Sequence, residues 1–168
     1  LLRANVREHF SDEIYQDVER VRKIPQEKLE ILSLEVPTFT IDAKKTRDYD
    51  DAFSVMEWSN GGLVIAVHIT DLSNFVNPGD SLFKEAEARL SSVYSLEETI
   101  PMIPDELSCD TFSLKAGEPR NVLSFNFQLS ANGNWNLLEV VPRIIRVQKN
   151  LSYEEADLLI EEERDFWG

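Results

Sequence analysis

A chain of 168 residues, 42% of them hydrophobic, can bury one sizeable core, and one domain is the natural count. Its formal charge of −14 excludes a module that coats RNA by general electrostatics, because nonspecific phosphate binding is carried by Lys and Arg. A single cysteine, Cys109, excludes an internal disulfide and a cysteine-based zinc site, as expected in a reducing cytoplasm.

No signal-peptide core opens the chain at Leu1-Leu2-Arg3-Ala4-Asn5-Val6, and the longest strongly apolar run, Leu63 to Val67, is too short to cross a bilayer. No membrane association is expected, and a cytoplasmic location is. The chain does not begin with Met and closes on Asp165-Phe166-Trp167-Gly168 soon after an apparent helix, so it reads as an excerpt from something longer.

Residues 11 to 23 read as a helix, with Ser11 as N-cap, Asp12 and Glu13 in the first turn, Ile14, Val18 and Val21 on one face, and Pro25 as the stop. Val36-Pro37-Thr38-Phe39-Thr40-Ile41 is β-branched and aromatic, and Ala52-Phe53-Ser54-Val55-Met56 alternates like a half-buried strand. Between them lies Asp42-Ala43-Lys44-Lys45-Thr46-Arg47-Asp48-Tyr49-Asp50-Asp51, four carboxylates in ten residues. Asp42 leaves the first strand and Asp50-Asp51 open the second, so the loop can fold Asp48 back over both. Clustered like charges raise one another's pKa or collect a cation. All-oxygen ligation points to a hard ion, Mg²⁺ or Mn²⁺, and four shared carboxylates suit a two-metal site for phosphoryl chemistry. A solvated acidic loop in an acidic chain is the other reading left open. A calcium loop is disfavoured, because Asp48 is followed by Tyr49-Asp50-Asp51-Ala52-Phe53 without the glycine of an EF-hand.

Asn60-Gly61-Gly62 is a hairpin signal leading into Leu63-Val64-Ile65-Ala66-Val67-His68-Ile69, which is apolar on both faces and expected at the centre of a sheet. His68 at its end is a satisfied core residue or a ligand, and Asp71 either braces the acidic loop or caps the strand. Asn77-Pro78-Gly79-Asp80 is a turn, with Asp80 or Ser81 capping a helix that carries Leu82, Ala86, Leu90 and Val93 and is closed by Tyr94. Pro101-Met102-Ile103-Pro104 is a stiff loop. The strand Val122 to Ser130 places Phe125, Phe127 and Leu129 on one face, turns at Asn132-Gly133, and pairs back through Trp135 to Val147. Ser152-Tyr153-Glu154-Glu155 is a capping box with Leu151 and Ala156 placed for a hydrophobic staple, opening a last acidic helix. The fold class expected is α+β, a mostly antiparallel sheet flanked by helices, with residues 1–35 as a helical lead-in.

Thr40-Ile41-Asp42 followed after five residues by Asp48-Tyr49-Asp50-Asp51-Ala52 resembles the signature of the ribonuclease II/ribonuclease R (RNB) catalytic domain. The likeness continues through Val67-His68-Ile69-Thr70-Asp71-Leu72-Ser73, Ser92-Val93-Tyr94, Ile100-Pro101-Met102-Ile103-Pro104-Asp105-Glu106-Leu107-Ser108, and Ser113-Leu114 before Arg120. The resemblance implies that residues 36–168 are the N-terminal part of such a domain. It implies a Mg²⁺-dependent exoribonuclease that hydrolyses single-stranded RNA from its 3′ end and releases nucleoside 5′-monophosphates. It carries over Asp42, Asp48 and Asp51 as metal ligands, Asp50 as the carboxylate closest to the chemistry, and Tyr94 as an aromatic that stacks on RNA. By its own chemistry Tyr94 reads as a core or interface aromatic. Two residues depart from the family's usual pattern: Phe83 stands in place of an Asp, and Leu90 in place of a small residue. The competing expectation is a catalytically silent relative or fragment that binds RNA or protein.

Overall fold

The computed structural model describes residues 9–26, 33–34, 36–58, 62–95 and 99–162. The chain divides into two compact units, Leu1–Pro25 with Leu72–Thr111, and Gln26–Asp71 with Phe112–Gly168.

The second unit holds a seven-stranded sheet. Its strands are β1 (Ser33–Leu34), β2 (Thr38–Asp42), β3 (Asp51–Trp58), β4 (Gly62–Thr70), β7 (Pro119–Leu129), β8 (Trp135–Arg146) and β9 (Lys149–Ser152), ordered β1-β8-β7-β4-β3-β2-β9. The two outermost pairs, β1 with β8 and β2 with β9, are parallel, and all others are antiparallel. The α+β class with a mostly antiparallel sheet is therefore as expected, and β4 takes the central position. β3 and β4 pair as far as Trp58 opposite Gly62, while the turn expected at Asn60-Gly61 lies outside the described residues. Gly62 is demanded by crowding, since a Cβ there would meet the Leu129 carbonyl oxygen at 2.9 Å.

Alternation along β7 runs opposite to its hydrophobicity. Phe125, Phe127 and Leu129 are half-buried, whereas Val122, Ser124 and Asn126 are buried. Ser54, His68 and Ser124 satisfy one another across three strands: Ser54 Oγ lies 3.0 Å from His68 Nε2, and His68 Nδ1 lies 2.8 Å from Ser124 Oγ. His68 is thus the satisfied core residue. Burial, then the charge of Arg143, lowers its pKa from 6.5 to about 4. The folded state therefore holds the neutral ring, and between pH 6.5 and 4 the unfolded chain binds more protons, so stability falls as pH falls through that window. The full shift corresponds to about 3 kcal/mol. Denaturant titrations at pH 7 and pH 4 should show that His68→Gln has lost this component of the acid sensitivity; an unchanged difference would mean that His68 does not titrate in the unfolded chain alone.

α3 (Tyr153–Glu161) opens on the expected capping box: Glu155 N–H donates to Ser152 Oγ at 3.2 Å and Ser152 N–H to Glu155 Oε2 at 2.8 Å. Leu151 and Ala156 are both buried, as the staple requires. Ala52, Leu114, Val122, Ile145 and Val147 form a core cluster, with Tyr49 packed against it.

The first unit carries α1 (Asp12–Val21) and α2 (Ser81–Arg89), which pack together, a ribbon of β5 (Val93–Tyr94) and β6 (Thr99–Ile100), and a π-helical turn, Leu107–Thr111. α1 buries Ile14, Val18 and Val21 as the spacing predicts. Ser11 is its N-cap by position only, its carbonyl rather than its hydroxyl taking the N–H groups of Ile14 and Tyr15. Asp80 likewise precedes α2 without capping it. Its carboxylate accepts from Asn77 N–H at 2.9 Å and Arg20 at 2.6 Å, and the α2 N–H of Leu82 is taken instead by Asp17 of α1 at 3.0 Å.

The expected continuation of α2 to Val93 does not form. The helix ends at Arg89, and Leu90 takes a left-handed conformation, φ 66°, with 80% of its surface exposed. What is buried on α2 is Leu82 together with Glu85, an acid made tolerable by Arg89 at 3.0 Å. A left-handed Leu is strained by its Cβ, so Leu90→Gly should raise stability by about 1 kcal/mol and the melting temperature by about 2–4 °C. A lower melting temperature would show that the exposed Leu90 side chain contributes more than its backbone costs. Among the described residues no helix is long and apolar enough to cross a membrane.

Candidate functional site: a carboxylate loop at the end of the sheet

The connection from β2 to β3 is the acidic stretch. β2 and β3 pair antiparallel with Phe39 opposite Phe53, and carrying that register forward sets Asp42 against Asp50. Asp42 ends β2 and Asp51 begins β3, so three of the four carboxylates leave the same end of two hydrogen-bonded strands. Asp48 approaches them from within the loop, which tightens at Thr46 N–H to Ala43 O, 2.8 Å.

Tyr49 is the anchor. Its ring packs on the core cluster, its N–H donates to Ser113 Oγ at 3.2 Å, and its carbonyl accepts Leu114 N–H at 2.9 Å. Ser113 Oγ in turn donates to Arg47 O at 2.8 Å, so one buried hydroxyl closes the loop on both sides of Asp48. Thr70 does the same for Asp50, its N–H and hydroxyl reaching the Asp50 carbonyl at 3.1 and 3.2 Å. Thr70 thereby braces the loop, while Asp71 N–H bonds to Asn121 O at 3.0 Å. A third tie runs from Asn150 Nδ2 to Thr40 Oγ1 at 3.0 Å, and the Thr40 hydroxyl bonds to the Asp42 carboxylate. Ser113, Thr70 and Asn150 were not singled out from sequence as loop supports. Ser113 and Thr70 stand in the sequence blocks that carry the family resemblance, but nothing local marks a serine or threonine hydroxyl as a bond to a loop 66 or 20 residues away.

The electrostatics are unfavourable without a counter-charge. Loss of solvation raises the pKa of Asp50 from 3.8 to about 6, followed by the charges of Asp48, Asp51 and Asp42. Asp42 is also raised, first by burial and then, against a lowering bond from Thr40, by Asp51 and Asp48. Because Asp50 as a residue is exposed, water screens much of the free energy behind its shift. Asp42 Oδ2 is buried and has no hydrogen-bond partner. An orphaned carboxylate oxygen amid three further carboxylates fits a hard dication, which would satisfy the oxygen and offset the repulsion. Among the described residues no three carboxylates already stand in metal-holding geometry, so ligation requires the side chains to turn inward on the braced backbone. Beside the loop, Lys44, Tyr49, Asn150, Ser152, Glu154 and Glu155 line a cleft of about 340 Å³.

Tyr94 belongs to the other unit and is not among these residues. It lies on β5 opposite Thr99, 63% exposed, rather than at the end of a helix.

The RNB domain matches residues 32–167. Over 123 residues the sequence is 36% identical to ribonuclease R of Thermotoga maritima, covering 73% of this chain and 17% of that protein. The chain thus spans less than a fifth of this relative. Its fold matches that of Mycoplasma genitalium RNase R in complex with ribose-methylated single-stranded RNA, with a TM-score of 0.84 at 23% identity over 96% of this chain and 26% of the other. Yeast Ssd1, a pseudonuclease, matches at a TM-score of 0.69 and 22% identity over 79% of this chain and 17% of the other.

Proposed function

The chain belongs to the RNB family, and on that premise we propose that it is the metal-bearing part of a cytoplasmic 3′-to-5′ exoribonuclease that hydrolyses single-stranded RNA to nucleoside 5′-monophosphates. The observation that carries the reading is the loop itself: four aspartates braced by Ser113, Thr70 and Thr40, one with a buried, unpartnered oxygen. Folding gains nothing from that arrangement, since burial and then clustering raise the pKa of both Asp42 and Asp50 and so oppose their charged forms. Function is the better reason for it.

In this reading Asp42, Asp48 and Asp51 hold Mg²⁺ or Mn²⁺, directly or through water. A bound pair of such ions supplies an activated water and charge stabilisation at the leaving oxygen. Asp50, set beside those three aspartates just before β3, takes the proton of the attacking water as general base. Water adds to phosphorus, the P–O3′ bond breaks, the released nucleotide keeps its 5′-phosphate, and the shortened strand ends in a 3′-hydroxyl. Tyr94 offers a ring for an unpaired base, a contact that tolerates any sequence.

A noncatalytic module is the second reading, favoured by the charge of −14, which suits a protein partner better than a phosphate backbone. The four aspartates argue against it. The experiment is to incubate the intact protein and Mg²⁺ with 5′-end-labelled single-stranded RNA bearing either a free or a blocked 3′ end. Stepwise shortening of the free-ended strand with release of mononucleotides supports the nuclease; binding without shortening supports the module.

A further inference from the structure

A ribbon with two residues in each strand cannot hold its own shape in water, so the stance of β5 and β6 must be set by what flanks them. Ser92, just before β5, accepts Met102 N–H on its hydroxyl at 3.0 Å. Arg89, at the end of α2, makes the other tie. Its side chain is 7% exposed. Nε donates to Glu85 Oε1 at 3.0 Å, one Nη to the carbonyl of Pro101 at 3.0 Å, and the other to the carbonyl of His9 at 3.3 Å. The guanidinium lies over the Phe10 ring, 4.1 Å from its centroid. Pro101 immediately follows β6, so Arg89 joins the helix directly to the ribbon's returning strand.

We propose that Arg89 is a positioning residue for the RNA strand: by clamping Pro101 to α2 it fixes the direction in which the exposed Tyr94 ring is presented. The inference rests on the reading that Tyr94 stacks on RNA. The clamp needs a guanidinium specifically. Four partners, one acid, two carbonyls and one ring face, are met by a flat cation with a fixed fork of donors, whereas the point charge of a lysine meets at most part of that set. Loss of the fork leaves the ribbon free to swing and the ring free to point elsewhere.

The test is a double-mutant cycle on RNA affinity, read by fluorescence anisotropy of a labelled single strand. It uses the intact protein in an Asp50→Asn background that prevents turnover. Tyr94→Ala should weaken binding about tenfold, the scale of one lost base stack. Arg89→Lys should weaken it about threefold or more when Tyr94 is present and leave it nearly unchanged when Tyr94 is already Ala, because the two act through one contact. Equal losses in both backgrounds, or no loss from Arg89→Lys, overturn the proposal while leaving the Tyr94 reading in place. No loss from Tyr94→Ala overturns the Tyr94 reading and this inference with it. Should Arg89→Lys fail to fold, Phe10→Leu removes the ring under the guanidinium and enters the same cycle in its place.

Discussion

Asp50→Asn in the intact protein should bind single-stranded RNA as the parent does and turn it over about a thousandfold more slowly or worse, the scale on which central catalytic groups act. The substitution keeps size and hydrogen-bonding capacity. It leaves the loop's ties alone, because Thr70 bonds to the Asp50 carbonyl and not to its side chain. Nor should it unfold the protein. Asp50 is an acid whose pKa is pushed up to about 6, so above that pH its charge opposes folding, and removing it relieves repulsion with Asp48, Asp51 and Asp42. Lost turnover in Asp50→Asn with an unchanged or raised melting temperature therefore separates chemistry from stability. An active variant would sink the role given to Asp50.

Divalent metal should stabilise the protein, and the stabilisation should vanish in Asp42→Asn/Asp51→Asn. A ligand that binds only the folded state at a hundred times its dissociation constant contributes about 2.7 kcal/mol. For a domain of this size that is a rise in melting temperature of about 5–10 °C. Asp42 and Asp51 sit on strand ends, so their backbones are held by sheet pairing, and Asn in either place keeps the fold while removing a charge. If the double variant responds to Mg²⁺ or Mn²⁺ like the parent, the ions bind elsewhere.

Much of the site was legible because it is local. An acidic run between two β-branched runs specifies a loop between strands, and that loop forms where expected, with Asp42 and Asp51 at its ends. The buried His68 was also within reach, although Ser54 and Ser124, which satisfy it, come from different strands and leave no trace in the spacing. What escaped is nonlocal. The returning strand is expected to end at Val147 and Lys149–Ser152 is assigned to no strand, yet it pairs in parallel with β2 as β9, and parallel pairing has no short turn to announce it. The segment after Arg89 kept a helical pattern in Leu90 and Val93, but a left-handed Leu90 stops the helix and both side chains are exposed. Asp80 looked like a cap and is bonded to Asn77 and Arg20 instead, because α1 supplies Asp17 to do the capping. The β9 pairing and the capping by Asp17 were decided by partners distant in sequence, the stop at Leu90 by its own backbone conformation.

The central claim is that the carboxylate loop holds the cation that hydrolysis requires. Its most direct test is the rate of RNA hydrolysis by the intact protein as a function of free Mn²⁺, compared with Asp51→Asn. Removing one charged ligand should raise the half-activating Mn²⁺ concentration about tenfold or more, in the range seen when a metal site loses a supporting group. An identical activation curve for the two proteins would contradict the claim.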